Sequence, residues 1–238
     1  MDDFDPLAPR QTPTAMRPLL GMTILVVEDS RFASETMRLM CLRSGARIRR
    51  ADSLAAARRH LQVYRPSALI VDLGLPDGSG LDLIEELNRA TPRVGVLVAI
   101  SGDDHASGAA IVAGADAFLA KPVANLGVFQ QAILANLPRE RHPSHPCPVS
   151  IETVHPDPIA YRDDMTHIAN LLDDPQDGRS LGYVAQFLRS VARSADDAPL
   201  ERAAHDLMHL CETRGAPQGK LAQLAGMVQD RIGARVVI

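Results

Sequence analysis

The chain has 238 residues, 46% of them apolar, with only 3% aromatics and no Trp, so any core must rest on Leu, Ile, Val, Ala and Met. That length serves one large domain or two ordinary ones. A formal charge of −4 gives no global basic character for nucleic acid or a membrane surface, and the three cysteines (Cys41, Cys147, Cys211) include no pair at metal spacing.

Residues 1–21 hold Pro6, Pro9, Pro13 and Pro18 among polar residues without periodicity and read as a flexible tail. From residue 22 short apolar runs alternate with stretches of helical period. The runs are Ile24–Val27, Ala68–Val71, Val94–Ile100 and Ala117–Leu119, with a weaker one at Ala46–Arg50. Nearly continuous Val, Ile and Leu is the pattern of parallel strands covered on both faces. Helices are expected at 31–44, 53–64, 80–90, 105–113 and 123–136; Asp52 or Ser53 can cap the second, and Gly45 and Gly114 lie just past the ends of the first and fourth. Five βα units in series make a doubly wound α/β domain with its ligands at the carboxyl ends of the strands. Residues 138–150, with Pro138, Pro143, Pro146 and Pro148, read as an exposed linker. Residues 151–238 read as a smaller all-α domain with helices at 160–173, 180–195, 199–214 and 218–233 and no strand before Val236–Ile238. The chain opens on no signal-peptide pattern and has no apolar run near the ~18 residues of a membrane span. With its free thiols it is expected to be soluble and cytoplasmic.

Side chains at three strand ends should converge. Glu28 and Asp29 close the first strand and Asp72 closes the third. Three neighbouring carboxylates repel one another, and a hard cation such as Mg²⁺ relieves that repulsion through an all-oxygen site. The plain alternative is that acidic residues merely open polar loops. Ser101 follows the fourth run and Lys121, before Pro122, follows the fifth. A hydroxyl and an ammonium beside a carboxylate–metal site suit a transferred phosphoryl group, because the cations neutralise its oxygens and the hydroxyl donates to one of them. Of 25 basic residues only Lys121 and Lys220 are lysines, which argues that a compact ammonium is required at 121, where a planar guanidinium would not fit.

In order and spacing (43 residues from Asp29 to Asp72, 29 to Ser101, 20 to Lys121) this set resembles the receiver domain of two-component response regulators, over residues 22–137. The segment Asp72-Leu-Gly-Leu-Pro-Asp-Gly-Ser-Gly80 is similar to that family's phospho-acceptor loop. The resemblance implies a flavodoxin-like five-stranded parallel sheet, and that Asp72 takes a phosphoryl group from a phosphohistidine on a sensor kinase or phosphotransfer protein. It also implies that Asp29, Asp72 and the Gly74 carbonyl bind Mg²⁺ directly and Glu28 through water, that Ser101 and Lys121 contact the phosphoryl group, and that Phe118 is the switch aromatic. Phe118 lacks the hydroxyl of the commoner Tyr.

In the second half, residues 199–214 form an amphipathic pattern with Leu200, Ala203, Ala204, Leu207, Leu210 and Cys211 on one face and His205 and His209 on the other. Ala-Ala-His205-Asp-Leu207, followed by Gly215-Ala216, resembles the histidine-containing phosphotransfer domain, which would make His205 a phosphate carrier. Where that family has Lys and Gly after the histidine, this chain has Met208 and His209. A His pair on a solvated face, a metal pair lacking a third ligand, and a docking module that only shares the fold all remain open. Residues 150–238 carry 13 acidic and 9 basic residues, which opposes a DNA-binding output, and this half has neither a glycine-rich phosphate loop nor a nucleophile–base set. The expectation is a response regulator that is not an enzyme in the ordinary sense, phosphorylated at Asp72 with Mg²⁺ and signalling through protein contacts of its helical half. The alternatives are a phosphorelay intermediate using His205 and, more weakly, a DNA-binding regulator.

Overall fold

The computed structural model describes residues 12–145, 150–173, 181–213 and 218–234. They form two compact units, one running to Asp29 and resuming over Thr36–His155, the other combining Ser30–Glu35 with the chain from Pro156 on. In chain order the first part of the sequence forms β1 (Thr23–Val27), α1 (Arg31–Arg43), β2 (Arg47–Ala51), α2 (Leu54–Val63), β3 (Ala68–Asp72), the two-residue strands β4 (Gly74–Leu75) and β5 (Gly78–Ser79), α3 (Gly80–Arg89), β6 (Val96–Ser101), α4 (Ser107–Ala113), β7 (Ala117–Ala120) and α5 (Leu126–Leu134).

Five of these strands make one parallel sheet in the order β2-β1-β3-β6-β7, the doubly wound arrangement expected, while β4 and β5 form a small antiparallel ladder. Period-two alternation explains the unbroken apolar runs. Ile24, Val26, Ala68, Ile70, Val96, Val98 and Ile100 face one core with Met37, Met40, Phe129 and Ile133. Leu25, Val27, Leu69, Val71, Leu97 and Ala99 face the other with Leu54, Leu83, Ile84, Leu87 and Ala110. Both faces are buried, so neither residue set can be polar. The weak signal at β2 is that of an edge strand, with Arg47, Arg49 and Arg50 exposed and only Ala51 buried. Burial also pushes the Cys41 thiol up to about 12, and it packs as a small apolar group.

Helix ends follow local chemistry. Ser53 caps α2, its side chain accepting from Ala56 N, and Gly114 takes φ 109 after α4. Helix α5 starts at Leu126, later than the periodicity suggested, because Asn125 caps it by accepting from Val128 N at 3.0 Å. Val123 and Ala124 stay outside the helix, and Ala124 O accepts from Val154 N at 2.9 Å.

Two expectations from composition are corrected. Residues 1–11 of the supposed tail lie outside the described residues, but 12–21 are not a free tail. Leu19 is fully buried, and its N–H donates to Ser44 O at 2.9 Å. Residues 151–155 group with the first unit and not with the helices. Thr153 bridges Asn125, Leu126 N donates to Glu152 O, Val154 is buried in the core, and Glu152 pairs with Arg43.

One glycine is demanded by close approach. A Cβ on Gly80 would lie 2.1 Å from the carbonyl oxygen of Asp72, so the loop after β3 can return to α3 only without a side chain there.

The second unit contains α6 (Pro158–Asp173), α7 (Leu181–Ser194), α8 (Ala198–Glu212) and α9 (Gln218–Gly233). Each helix packs on its sequence neighbour and α9 closes on α6, around a core that includes Met165, Ile168, Val184, Phe187, Leu188, Leu200, Leu207, Leu224 and Val228. Asp197 fixes the start of α8. It accepts from Leu200 N at 3.2 Å, from Tyr161 on α6 at 2.7 Å, and from Arg231 on α9 at 2.6 and 2.8 Å. Arg231 holds its carboxyl down to about 2 against the opposing effect of burial, with Tyr161 and the Leu200 N–H assisting. Gly215, Ala216 and Val236–Ile238 lie outside the described residues. Among the described residues no helix is long and apolar enough to cross a membrane.

Two outcomes are expected. Gly80→Ala should destabilise the first unit by about 2 to 3 kcal/mol, read from urea unfolding, since backbone must move to admit the methyl. Asp197 has a depressed folded-state value, so its stabilisation is full above the ordinary carboxylate range and is lost as pH falls from about 5 towards 2. Hydrogen-exchange protection of peptides covering residues 198–212 should fall over that window, and Asp197→Ala should lower it at neutral pH by about 3 kcal/mol, the loss of a cap plus two unpaired donors.

Candidate functional site

Strand register brings the chemistry to one edge of the first unit. Val27 is level with Val71, Asp72 with Ile100, and Ser101 with Ala120. Because all these strands run parallel, the next residue of each emerges at the same carboxyl edge. Glu28 and Asp29 follow β1, Asp72 closes β3, Ser101 closes β6 and Lys121 follows β7. The sheet thus gathers residues spread over 94 positions of sequence at one edge.

The geometry at that edge is tight. Glu28, Asp72, Ser101 and Lys121 are all buried, and Asp29 is half-buried. The Lys121 ammonium sits 2.7 Å from Glu28 Oε2 and 2.7 Å from Asp72 Oδ2. Burial pushes the Glu28 carboxyl well above its ordinary range; Lys121 opposes that rise, while Asp72 and Asp29 add to it. Burial works against the charge on Lys121, but Asp72 and Glu28 outweigh it and hold the ammonium protonated to unusually high pH. Lysine suits the place because a point charge reaches both carboxylates, where a planar fork would need room that a side chain 2% exposed lacks.

One oxygen from each of Glu28, Asp29 and Asp72 lies within 4.8 Å of the others. That separation, with hard oxygen donors alone, fits a cation of Mg²⁺ character, whose ligands stand about 2.0–2.1 Å away. Gly74 lies in the turn beyond Asp72, its N–H donating to Asp72 Oδ1 at 3.3 Å, and it pairs with Ser79 across the small ladder. Ser101 Oγ accepts from Asp103 N at 3.0 Å, which leaves the hydroxyl's own hydrogen to donate elsewhere. Phe118 is half-buried on the edge strand β7, at the rim of a groove that it shares with Gly127, Val128, Gln131 and Ala135 of α5.

Asp77 was not singled out from sequence. Its carboxylate accepts from Leu54 N and Ala55 N, both at 2.9 Å, and so fastens the loop after Asp72 to the first turn of α2. A Pro-Asp-Gly turn was visible, but the partner, 23 residues earlier, was not. In the second unit His205 and His209 are exposed on α8, and Met208 is half-buried in the helical core. Lys220 on α9 pairs at 2.9 Å with Asp206, the neighbour of His205.

Residues 24–133 match the family model of the response regulator receiver domain. The chain is 29% identical over 143 residues to the KDP operon transcriptional regulatory protein KdpE of Escherichia coli, covering 60% of this chain and 59% of that protein. It is 33% identical over 108 residues to the probable transcriptional regulatory protein TcrX of Mycobacterium tuberculosis, covering 42% and 44%. The chain therefore spans about half the length of the curated relatives it matches. Among solved structures, a putative response regulator from Chloroflexus aurantiacus aligns at 30% identity with a TM-score of 0.45, over 48% of this chain and 98% of that one. Residues 24–133, where strand order, acidic edge and family model coincide, form a response regulator receiver domain.

Proposed function

We propose that the protein accepts a phosphoryl group on Asp72 from a phosphohistidine of a sensor kinase or phosphotransfer protein, and signals through protein contacts of its helical unit. The observation that carries this is the buried meeting of Asp72, Glu28 and Lys121 at the sheet edge, with Asp29 completing an oxygen cluster. An Asp72 carboxylate oxygen attacks phosphorus, the new O–P bond forms as the P–N bond to the donor imidazole breaks, and the imidazole leaves as the neutral ring after taking a proton. Lys121 turns from the carboxylates to a phosphoryl oxygen, and the Ser101 hydroxyl donates to another. Glu28, Asp29, Asp72 and the Gly74 carbonyl would hold Mg²⁺, which when bound neutralises phosphoryl charge. With Ser101 drawn to the phosphoryl group, Phe118 at the rim of its groove turns inward, and the face around α4 and β7 shifts in population.

A second reading, a relay in which His205 carries phosphate, is favoured by one observation. His205 is exposed on α8, and Lys220 brings a cation to its neighbour Asp206, in place of the lysine that Met208 replaces. Nucleic acid is not part of the proposal. The relatives are named as transcriptional regulators, but residues 150–238 of this chain carry a net charge of −4.

Radiolabelled histidine kinase with Mg²⁺ tests these readings on the intact chain. Asp72→Ala should abolish a base-labile, hydroxylamine-sensitive label, and Lys121→Ala should slow transfer by about 10² or more, the scale of a lost charge-stabilising donor. Label surviving on Asp72→Ala at no histidine would sink the assignment. Base-stable label lost in His205→Ala would establish the relay.

A further inference from the structure

Residues 151–155 lie past the stretch that matches the receiver family, yet they belong to the same compact unit. Their backbone runs antiparallel to the loop that joins β7 to α5. Leu126 N donates to Glu152 O at 3.0 Å and Val154 N to Ala124 O at 2.9 Å, on either side of the bridge between Asn125 and Thr153. Leu126 is the first residue of α5, and its N–H has no partner within the helix. The strap supplies that acceptor, while the Asn125 side chain takes Val128 N. Side chains add to the backbone bonds. Val154 is 3% exposed and shares the core of Leu119, Val123, Leu126 and Phe129. Glu152 pairs with Arg43 in the last turn of α1, a surface contact that counts for little beside the buried valine.

The loop held in this way is the one that carries Lys121. Lys121 N donates to Ser101 O at 2.8 Å, and only Pro122 and Val123 separate Lys121 from Ala124. The loop is therefore fixed at its start by β6 and at its end by the strap, with Val123 buried between them beside Val154. An ammonium that meets Glu28 and Asp72 at 2.7 Å each depends on where its backbone is held. We propose that Val154 is a positioning residue for Lys121: by locking the strap onto the loop after β7 it sets how fast the phosphoryl group can be taken up. This rests on the phosphotransfer reading above and extends it to a residue outside the receiver match. In that reading Lys121 stabilises phosphoryl charge and is not a metal ligand. Loosening its loop should therefore slow transfer without weakening the hold on Mg²⁺. A misplacement of about 1 Å can cost roughly 10²-fold in rate.

The experiment phosphorylates the full chain with phosphoramidate and MgCl₂, followed by intact mass, and titrates the same proteins with MgCl₂ by calorimetry. Phosphoramidate offers the P–N bond of the proposed donor, with ammonia as the leaving group, so docking of a donor protein does not enter. Native protein should gain one phosphoryl group that Asp72→Ala does not. Val154→Ala should lower the rate at saturating phosphoramidate about tenfold or more, while Mg²⁺ binds within about twofold of native. Val154→Thr keeps the shape but sets a hydroxyl in the core, and should fall between; it decides if Val154→Ala is not folded by circular dichroism. Leu87→Ala, a cavity in the last turn of α3 on the other face of the sheet, is the stability control and should leave the rate within about twofold of native. Three results overturn the positioning role alone: folded Val154 variants within about twofold of native, a loss in Leu87→Ala as large as theirs, or Mg²⁺ binding that weakens in step with the rate. Native protein that takes no phosphoryl group at Asp72 overturns both this role and the reading on which it rests.

Discussion

A single buried ammonium, Lys121, lies against two buried carboxylates, Glu28 and Asp72, at the carboxyl edge of the sheet. It offsets the repulsion among these two acids and a third at Asp29 in a water-poor site. The fold meets that constraint through register. Parallel pairing holds the end of β7 level with the end of β6, and β6 level with β3, so Lys121 arrives where Asp72 emerges. The same parallel pairing requires helical crossovers, and these bury both faces of the sheet. The acidic edge and the two apolar cores are therefore consequences of one topology.

Rigidity around the site comes from small devices. Gly80 lets the loop after β3 pass over the Asp72 carbonyl, and Asp77 ties that loop to α2. Under the proposed transfer, such anchoring would keep the charge-stabilising groups in place beforehand. In the helical unit Asp197 does comparable work, joining the start of α8 to α6 and α9 through Tyr161 and Arg231. The helix that bears His205 is thus pinned at its first turn, while the histidine itself faces solvent.

Much of this was legible in the residues. Runs such as Leu69-Ile-Val71 can only be doubly covered strands, and Ser53 and Gly114 mark helix ends for local steric and hydrogen-bonding reasons. The acidic pair, Asp72, Ser101 and Lys121 were legible because each stands directly after an apolar run. Where the reading failed, composition had stood in for contact. Pro-rich 12–21 lacks periodicity, yet Leu19 enters the core. Residues 151–155 follow a proline-rich stretch, yet Val154 is buried beside Leu126 and Phe129 in the first core.

Hydrophobic period and residue order by themselves determined the α/β class, the helical second half and the identity of the acidic set, because burial on both faces and helical amphipathicity write a pattern at short range. Long-range choices were decided only in three dimensions. That the Lys121 ammonium touches both Glu28 and Asp72, and that Asp77 reaches back to α2, depend on which chain segments pack together. A lone acidic residue carries no mark of its distant donors. A buried charge finds a partner only where the packed chain supplies one, and local sequence does not record that position.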